Sequence, residues 1–169
     1  MKKLIFTILT LTFLCSCSKT PSTDTSFVHA SGLDETEDGV RFSVLLEHQN
    51  EKENRYSCIS YEGEDPKEAF EKFVSDYPGC YTGSAQICFF GETLSRRSLY
   101  ECALFMCETP SFPSKSTAVS VSSVTARELL ENIKDTDTLK DIKNKCNGKS
   151  PALAAFFAMC TNPGTTAKV

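Results

Sequence analysis

The chain has 169 residues, of which 40% are apolar and 24% are charged, and it carries nine cysteines and a formal net charge of −4. This composition is typical of one globular domain, and it excludes a disordered or a fibrous chain. The acidic balance and the lack of a basic cluster in the sequence argue against a nucleic-acid partner.

The first residues are typical of an export signal. Two lysines follow Met1, and a run of 11 residues then extends from Leu4 to Leu14, in which eight apolar residues are interrupted only by three threonines. A transmembrane helix needs about 20 apolar residues, so this run is too short to span a bilayer. We therefore expect residues 1–16 to be a signal that is removed on export, so that the mature chain begins at residue 17.

The residues at the end of this signal favour a lipid anchor. Leu14, Cys15, Ser16 and Cys17 place a leucine and two small residues before a cysteine, which resembles the lipobox of bacterial lipoproteins. The resemblance implies that Cys17 becomes the mature N-terminus and carries diacylglycerol on its sulfur, while Cys15 leaves with the signal. Two acyl chains hold a protein stably on a bilayer, so we expect the chain on the extracytoplasmic face of a bacterial membrane. The alternative is an ordinary secretory signal with incidental cysteines.

The next segment joins the anchor to the folded part of the chain. Residues 17–26 are small and polar after the cysteine, which predicts a flexible tether, and residues 27–169 are expected to form a single globular domain. The domain opens with two β-rich pieces separated by a turn that ends in Gly39, a pattern that predicts an antiparallel hairpin. The acidic run from Asp34 to Asp38 is interpreted as the solvated turn of this hairpin, because it lacks the ligand alternation of an EF-hand calcium loop.

Helix and strand signals then alternate along the chain. Asp65, Pro66 and Glu68 form a helix start with an N-cap aspartate, and Thr125 with Glu128 has the same spacing. The predicted strands after the hairpin are Tyr56–Tyr61, Ala85–Phe90 and Thr117–Ser122. Five helices are predicted: one begins at Pro66, one extends over Leu94–Met106, one begins after Thr125, and the last two cover residues 138–146 and 150–160. A β-α-β-α-β-α order makes parallel strands with helical crossovers the expected arrangement, and the hairpin makes the sheet mixed. The predicted fold class is therefore α/β, or α+β in the broader sense, with C-terminal helices.

Seven cysteines remain for the folded domain, at positions 58, 80, 88, 102, 107, 146 and 160. Zinc ligands usually pair as C-x2-4-C, and Cys102 and Cys107 have four residues between them. Within a predicted helix, however, a spacing of five residues leaves the two side chains about 140° apart, so they do not face one metal. An odd number of cysteines cannot be fully paired within one chain, and the apolar neighbours of several of them favour buried free thiols. Disulfides between some of them are the alternative.

The sequence offers no catalytic set. Only His29 and His48 supply an imidazole base, and the chain has neither a G-x-S-x-G motif nor a nucleotide-binding glycine motif. We therefore assign no catalytic, cofactor-binding or metal-binding residues, expect a protein that is not an enzyme, and retain Cys17 as the one assigned site residue. An exported thiol enzyme with an activated cysteine beside His48 or a lysine is an alternative.

Several short motifs follow the predicted anchor. They are Ser31-Gly32-Leu33-Asp34 before a turn, Gly63 before a helix with Glu68-Ala69, Tyr81-Thr82-Gly83 before a strand that ends at Gly91-Glu92, Leu94-Ser95-Arg96 at a helix start, and Val119 and Val121 before Thr125-Ala126-Arg127-Glu128-Leu129-Leu130. In this order they resemble the N-terminal domain of the Ger(x)C family, the lipoprotein C subunits of bacterial spore germinant receptors. Family members are longer and usually carry a tryptophan–aspartate pair after the lipidated cysteine, so we expect a shortened or divergent member.

The resemblance implies a role in spore germination through protein contacts rather than catalysis. It also implies a membrane attachment through the lipid on Cys17, on the outer face of the spore inner membrane, and permease-like receptor subunits as partners. The alternative is a lipoprotein that binds a small solute or a cell-wall ligand, which would favour a deep apolar pocket with a few polar groups.

Overall fold

A computed structural model describes residues 26–47, 56–97, 99–109, 116–121 and 123–146. The predicted export signal, Cys17, the tether before Ser26 and the predicted helix at residues 150–160 lie outside the described residues, as do His48 and Cys160. These assignments therefore stay predictions.

A five-stranded mixed sheet forms the centre of the domain, with the strand order β3-β2-β1-β4-β5. The strands are β1 at Phe27–Thr36, β2 at Gly39–Glu47, β3 at Tyr56–Gly63, β4 at Ile87–Gly91 and β5 at Thr117–Val121. The predicted hairpin is confirmed, because β1 and β2 pair antiparallel around a turn at residues 37–38. Gly39 ends this turn with a φ of 149°, a backbone angle that residues other than glycine rarely adopt.

The strand directions follow the predicted alternation of strands and helices. β2 pairs antiparallel with both β1 and β3, whereas β4 pairs parallel with both β1 and β5. Within this sheet β2 is therefore the strand that runs against the other four, which confirms a mixed sheet with parallel later strands. The connection from β3 to β4 crosses β2 and β1, so β3 lies at an edge of the sheet instead of beside β4.

The described helices are α1 at Pro66–Asp76, α2 at Glu92–Arg97, α3 at Leu99–Glu108, α4 at Ala126–Glu131 and α5 at Thr136–Cys146, and a short 3-10 helix covers Thr82–Ser84. The predicted helix over Leu94–Met106 is helical within α2 and α3, and the bounds of these two segments leave out residue 98, which lies outside the described residues. Helix α5 begins two residues before the predicted position. The helix types and their order agree with the sequence prediction.

Helices cover both faces of the sheet. On one face, side chains of α1, α2 and α3 pack on the sheet in a cluster that includes Phe42, Phe73, Phe90, Leu94 and Met106. On the other face, α4 and α5 pack on the sheet in a cluster that includes Leu45, Phe89, Leu130, Ile133 and Leu139. The domain therefore has three layers, with the sheet buried between two layers of helices.

Both predicted helix starts are confirmed by their hydrogen bonds. The Asp65 side chain accepts the N–H of Glu68 at 2.8 Å, and the Glu68 carboxylate accepts the N–H of Glu64 at 2.7 Å. The bond from Glu64 lowers the pKa of Glu68. At the start of α4, the Thr125 hydroxyl accepts the N–H of Glu128 at 3.1 Å, while the Glu128 carboxylate accepts the N–H of Thr125 at 2.9 Å. This is the reciprocal capping box that the Thr-x-x-Glu spacing predicts.

Candidate functional site

The carboxyl ends of β1, β4 and β5 meet at one edge of the sheet, which we call the carboxyl edge. After β4 the chain enters α2, whose Leu94 packs on one face of the sheet. After β5 the chain enters α4, whose Leu130 packs on the opposite face. Neighbouring parallel strands whose connections leave toward opposite faces open a crevice between them, and open α/β sheets commonly bind their ligands at such a point.

A buried carboxylate lies at the base of this crevice. Asp34, at the end of β1, is only 3% exposed. Its two oxygens accept the N–H groups of Ala126 at 2.7 Å and Arg127 at 2.9 Å. Because the Thr125 hydroxyl accepts the N–H of Glu128, the first three N–H groups of α4 all have acceptors. The interpretation of Asp34 as part of a solvated turn is wrong, because its side chain caps a helix that is distant in the sequence; only the turn residues Glu37 and Asp38 are exposed.

Two glycines permit this close arrangement. A Cβ atom at Gly91 would lie 2.4 Å from Oδ1 of Asp34, and a Cβ atom at Gly32 would lie 2.8 Å from Cβ of Ala126. Both distances are shorter than van der Waals contact, so larger residues would push the carboxylate or the helix away. We call the group formed by Asp34, Gly91, Ala126 and Arg127 the Asp34 clasp. It holds the N-terminus of α4 against the ends of β1 and β4.

A cleft of about 320 Å³ opens beside the Asp34 clasp. The other side chains and backbone that line it are Glu35, Glu92, Thr93, Ser123, Val124, Thr125 and Glu128. Ser123 has a φ of 74°, which is uncommon for a residue with a side chain, and its N–H donates to the Glu92 carboxylate at 3.4 Å. The cleft is open and mostly polar, so it differs from the deep apolar pocket that the small-solute hypothesis favours.

Two further clefts, of about 290 and 540 Å³, continue along the carboxyl edge toward β3. The three clefts together are lined by nine carboxylates, at positions 34, 35, 37, 38, 62, 64, 68, 92 and 128. The two basic side chains among them are both paired, Arg41 with Glu62 at 2.6 Å and Lys72 with Glu68 at 3.0 Å. The carboxyl edge is therefore strongly negative, a potential that attracts cationic groups and repels anionic ones.

Comparison with known families assigns the chain to one of them. Residues 18–148 match the family described as the spore germination protein N-terminal domain, which covers 131 of the 169 residues. The chain belongs to this family. Searches of curated proteins and of solved structures found no match. Among the described residues of this germination domain, no helix is both long enough and apolar enough to cross a bilayer.

The motifs of this germination domain meet in space. Asp34, Gly91, Ala126 and Arg127 come from three of the separate stretches that resemble the Ger(x)C family, and together they form the Asp34 clasp. Gly63, from a fourth stretch, lies where a Cβ atom would be 2.5 Å from the backbone nitrogen of Ala69 in α1. These motifs therefore fix helices to the sheet, which explains why they are spread along the chain.

His29, the histidine that lies within the described residues, is held by contacts with two neighbouring side chains. Nε2 of His29 lies 2.5 Å from Oε2 of Glu47 on the neighbouring strand β2, and both side chains are mostly buried. The ring of His29 also packs edge-on against Tyr56, with 5.3 Å between ring centroids. Within the described ranges, no group of three or more histidine, cysteine, aspartate or glutamate side chains is placed to hold a metal ion.

Four of the described thiols have pKa values that are shifted away from reactivity. Burial raises the pKa of Cys58, Cys80 and Cys88 to about 11, and it raises the pKa of Cys102 to about 12. Cys88 and Cys102 are fully buried free thiols in the core, and Cys88 accepts a hydrogen bond from the hydroxyl of Ser31 at 3.3 Å. A reactive cysteine needs a lowered pKa, so these four thiols have the opposite character.

We predict that Cys88 and Cys102 react slowly with iodoacetamide in the folded protein. A pKa raised from 9.0 to about 11 lowers the thiolate fraction near neutral pH by about 100-fold, because each unit is a factor of ten. Alkylation at pH 8 followed by peptide mapping is expected to show at least this slowing relative to the same peptides in denaturant. The rate should increase as the pH approaches 11. Equal rates in the folded and denatured chains would contradict the buried placement.

Proposed function

We propose that this germination domain is carried by a membrane-anchored lipoprotein that acts in spore germination, similar to the C subunit of a germinant receptor. The observation that carries the proposal is the family match at residues 18–148, which begins directly after the cysteine of the lipobox. In this proposal Cys17 carries the lipid, and residues 18–26 connect it to β1.

We further propose that the protein acts by contacts with membrane-embedded, permease-like subunits and not by catalysis. Asp34, the one buried acidic residue among those described, and the exposed Asp65 are both engaged in capping helices. The four thiols with raised pKa values are suited to packing and not to nucleophilic attack. A lipid anchor supports a contact role because it raises the local concentration of the domain beside its membrane partners.

The proposal predicts a germination defect. Spores of the source bacterium that lack this gene are expected to lose the response to at least one nutrient, measured as the fall in optical density of a spore suspension. A restored copy of the gene should return the response. Germination at the normal rate with every nutrient that triggers the parent strain would overturn the proposed function.

A further inference from the structure

We infer that the domain meets the membrane with the edge of the sheet opposite to the carboxyl edge, and that Tyr81 contacts the lipid headgroup layer there. We call this the amino edge; it consists of Ser26–Val28, Tyr81–Gln86 and Ser116–Thr117, at the starts of β1, β4 and β5. The acidic carboxyl edge then faces away from the bilayer. The inference rests on the proposed lipid anchor and adds to it the orientation of the domain and the surface that touches lipid.

The first argument is the point at which the chain from Cys17 enters the fold. The carbonyl of Ser26 accepts the N–H of Tyr81 at 3.0 Å and the thiol of Cys80 at 3.4 Å. The N–H of Val28 donates to the carbonyl of Tyr81 at 3.1 Å. The entering chain is thus fixed directly to the segment that carries Tyr81. Ser26 lies nine positions after Cys17, and even fully extended this stretch spans only about 30 Å.

The second argument is the exposure of an aromatic side chain at that point. Tyr81 is 56% exposed, the highest value among the large hydrophobic side chains that the structure describes as exposed. Its ring packs edge-on against Phe27, with centroids 6.2 Å apart, and its hydroxyl lies close to Gly83, where a Cβ atom would be 2.5 Å away. Tyrosine combines an apolar ring with a polar tip, which suits the boundary between lipid chains and water.

The third argument is the difference in charge between the two edges. Helix α5 runs along the amino edge, since the Tyr56 hydroxyl lies 3.1 Å from Oγ1 of Thr136 and Lys143 donates to the Gln86 side chain at 2.8 Å. Residues 134–146 carry four lysines and three aspartates, and the nearby Glu47 carboxylate lies 2.5 Å from Nε2 of His29.

At a surface of anionic lipids, each nearby basic residue contributes about 1 kcal/mol of attraction. The slight basic excess of residues 134–146 is therefore compatible with lipid contact. The nine carboxylates that line the clefts of the carboxyl edge are repelled by the same surface. Anchor position, aromatic exposure and charge all favour the same orientation.

The chain has no tryptophan, so a single introduced tryptophan reports on one position. Tyr81→Trp places the reporter at the amino edge, and Val124→Trp places a matched reporter at the carboxyl edge, where Val124 is 44% exposed. Each lipidated full chain is purified from membranes and incorporated into vesicles of phosphatidylglycerol and phosphatidylcholine. Lipids brominated near the headgroup end of their acyl chains serve as quenchers. Circular dichroism checks that both variants fold, and Phe27→Trp is a second amino-edge reporter.

For Tyr81→Trp, the fluorescence is expected to shift to shorter wavelength on the vesicles and to fall roughly twofold or more with the brominated lipids, as for interfacial aromatic residues. For Val124→Trp, the fluorescence is expected to stay unchanged. Equal quenching of the two reporters, or no quenching of either in a chain that floats with the vesicles, overturns the orientation and leaves the anchor intact. A chain without acyl groups by mass spectrometry that does not float with vesicles overturns the anchor and the orientation together.

Discussion

Replacement of Asp34 by alanine is expected to lower the free energy of unfolding by about 2–4 kcal/mol, because one buried and one partly buried N–H group lose their acceptors at once. The N–H groups of Ala126 and Arg127 are bound at 2.7 and 2.9 Å, and Ala126 is fully buried, so water cannot easily replace the carboxylate. Helix α4 also packs Leu130 onto the sheet, so weakening its N-terminus loosens one whole layer. Urea unfolding of the soluble chain that begins at Ser18 measures the loss.

The control for this prediction is Asp38→Ala. Asp38 belongs to the same acidic run but lies exposed in the hairpin turn, so its replacement is expected to change the free energy of unfolding by less than about 0.5 kcal/mol. Asp34→Asn keeps one acceptor oxygen and should fall between the two alanine variants. Similar losses for Asp34→Ala and Asp38→Ala would contradict the role of the Asp34 clasp.

Replacement of Cys17 by alanine is expected to abolish acylation and membrane retention of the mature chain. The thioether to diacylglycerol requires the sulfur at this position, and each buried CH₂ of an acyl chain contributes about 0.8 kcal/mol to membrane binding. Cells that express the variant and are labelled with radioactive palmitate should show incorporation at background level. Spores that carry the variant should germinate as slowly as spores that lack the gene.

Cys15→Ala is the matched control, since Cys15 lies two residues before Cys17 and is expected to leave with the signal. Alanine is also a small residue, so this change preserves the lipobox pattern. Palmitate incorporation and germination should therefore match those of the parent chain. A loss of label with Cys15→Ala but not with Cys17→Ala would show that Cys15 carries the lipid, which contradicts the proposal.

The parts of the fold that local sequence signals determine were predictable. The capping residues Asp65 and Thr125 mark the starts of α1 and α4, and their hydrogen bonds form with residues three positions later. The alternation of strands and helices also predicted parallel later strands, because a helix that connects two strands of one sheet returns the chain in the same direction. The edge position of β3 was not predictable, since it depends on pairing with β2 and on no feature of β3 alone.

The Asp34 clasp was missed for a physical reason. Asp34 stands in a run of acidic residues that resembles a turn, and its hydrogen-bond partner Ala126 lies 92 positions away. A single sequence does not indicate which strand ends beside which helix. Gly32 and Gly91 were visible signals, because glycines at strand ends often mark places where two backbones approach closely. They could be connected to Asp34 only after the topology had placed β1 beside β4.

The burial of the core thiols was predictable from the sequence, whereas the size of their pKa increase was not. Apolar neighbours in the sequence predicted burial, and the structure places Cys88 and Cys102 fully inside the core. The extent of the pKa increase depends on how completely the surrounding helices exclude water, which is a property of the packed domain. The sequence therefore predicted where these thiols lie, whereas their low reactivity follows from the three layers around them.

Mass spectrometry of the chain isolated from membranes of the sporulating bacterium tests the central claim most directly. The account predicts that the membrane fraction contains a chain whose first residue is Cys17 and whose N-terminal peptide carries the added mass of diacylglycerol. An unmodified chain in the soluble fraction would contradict the anchored germination lipoprotein proposed here.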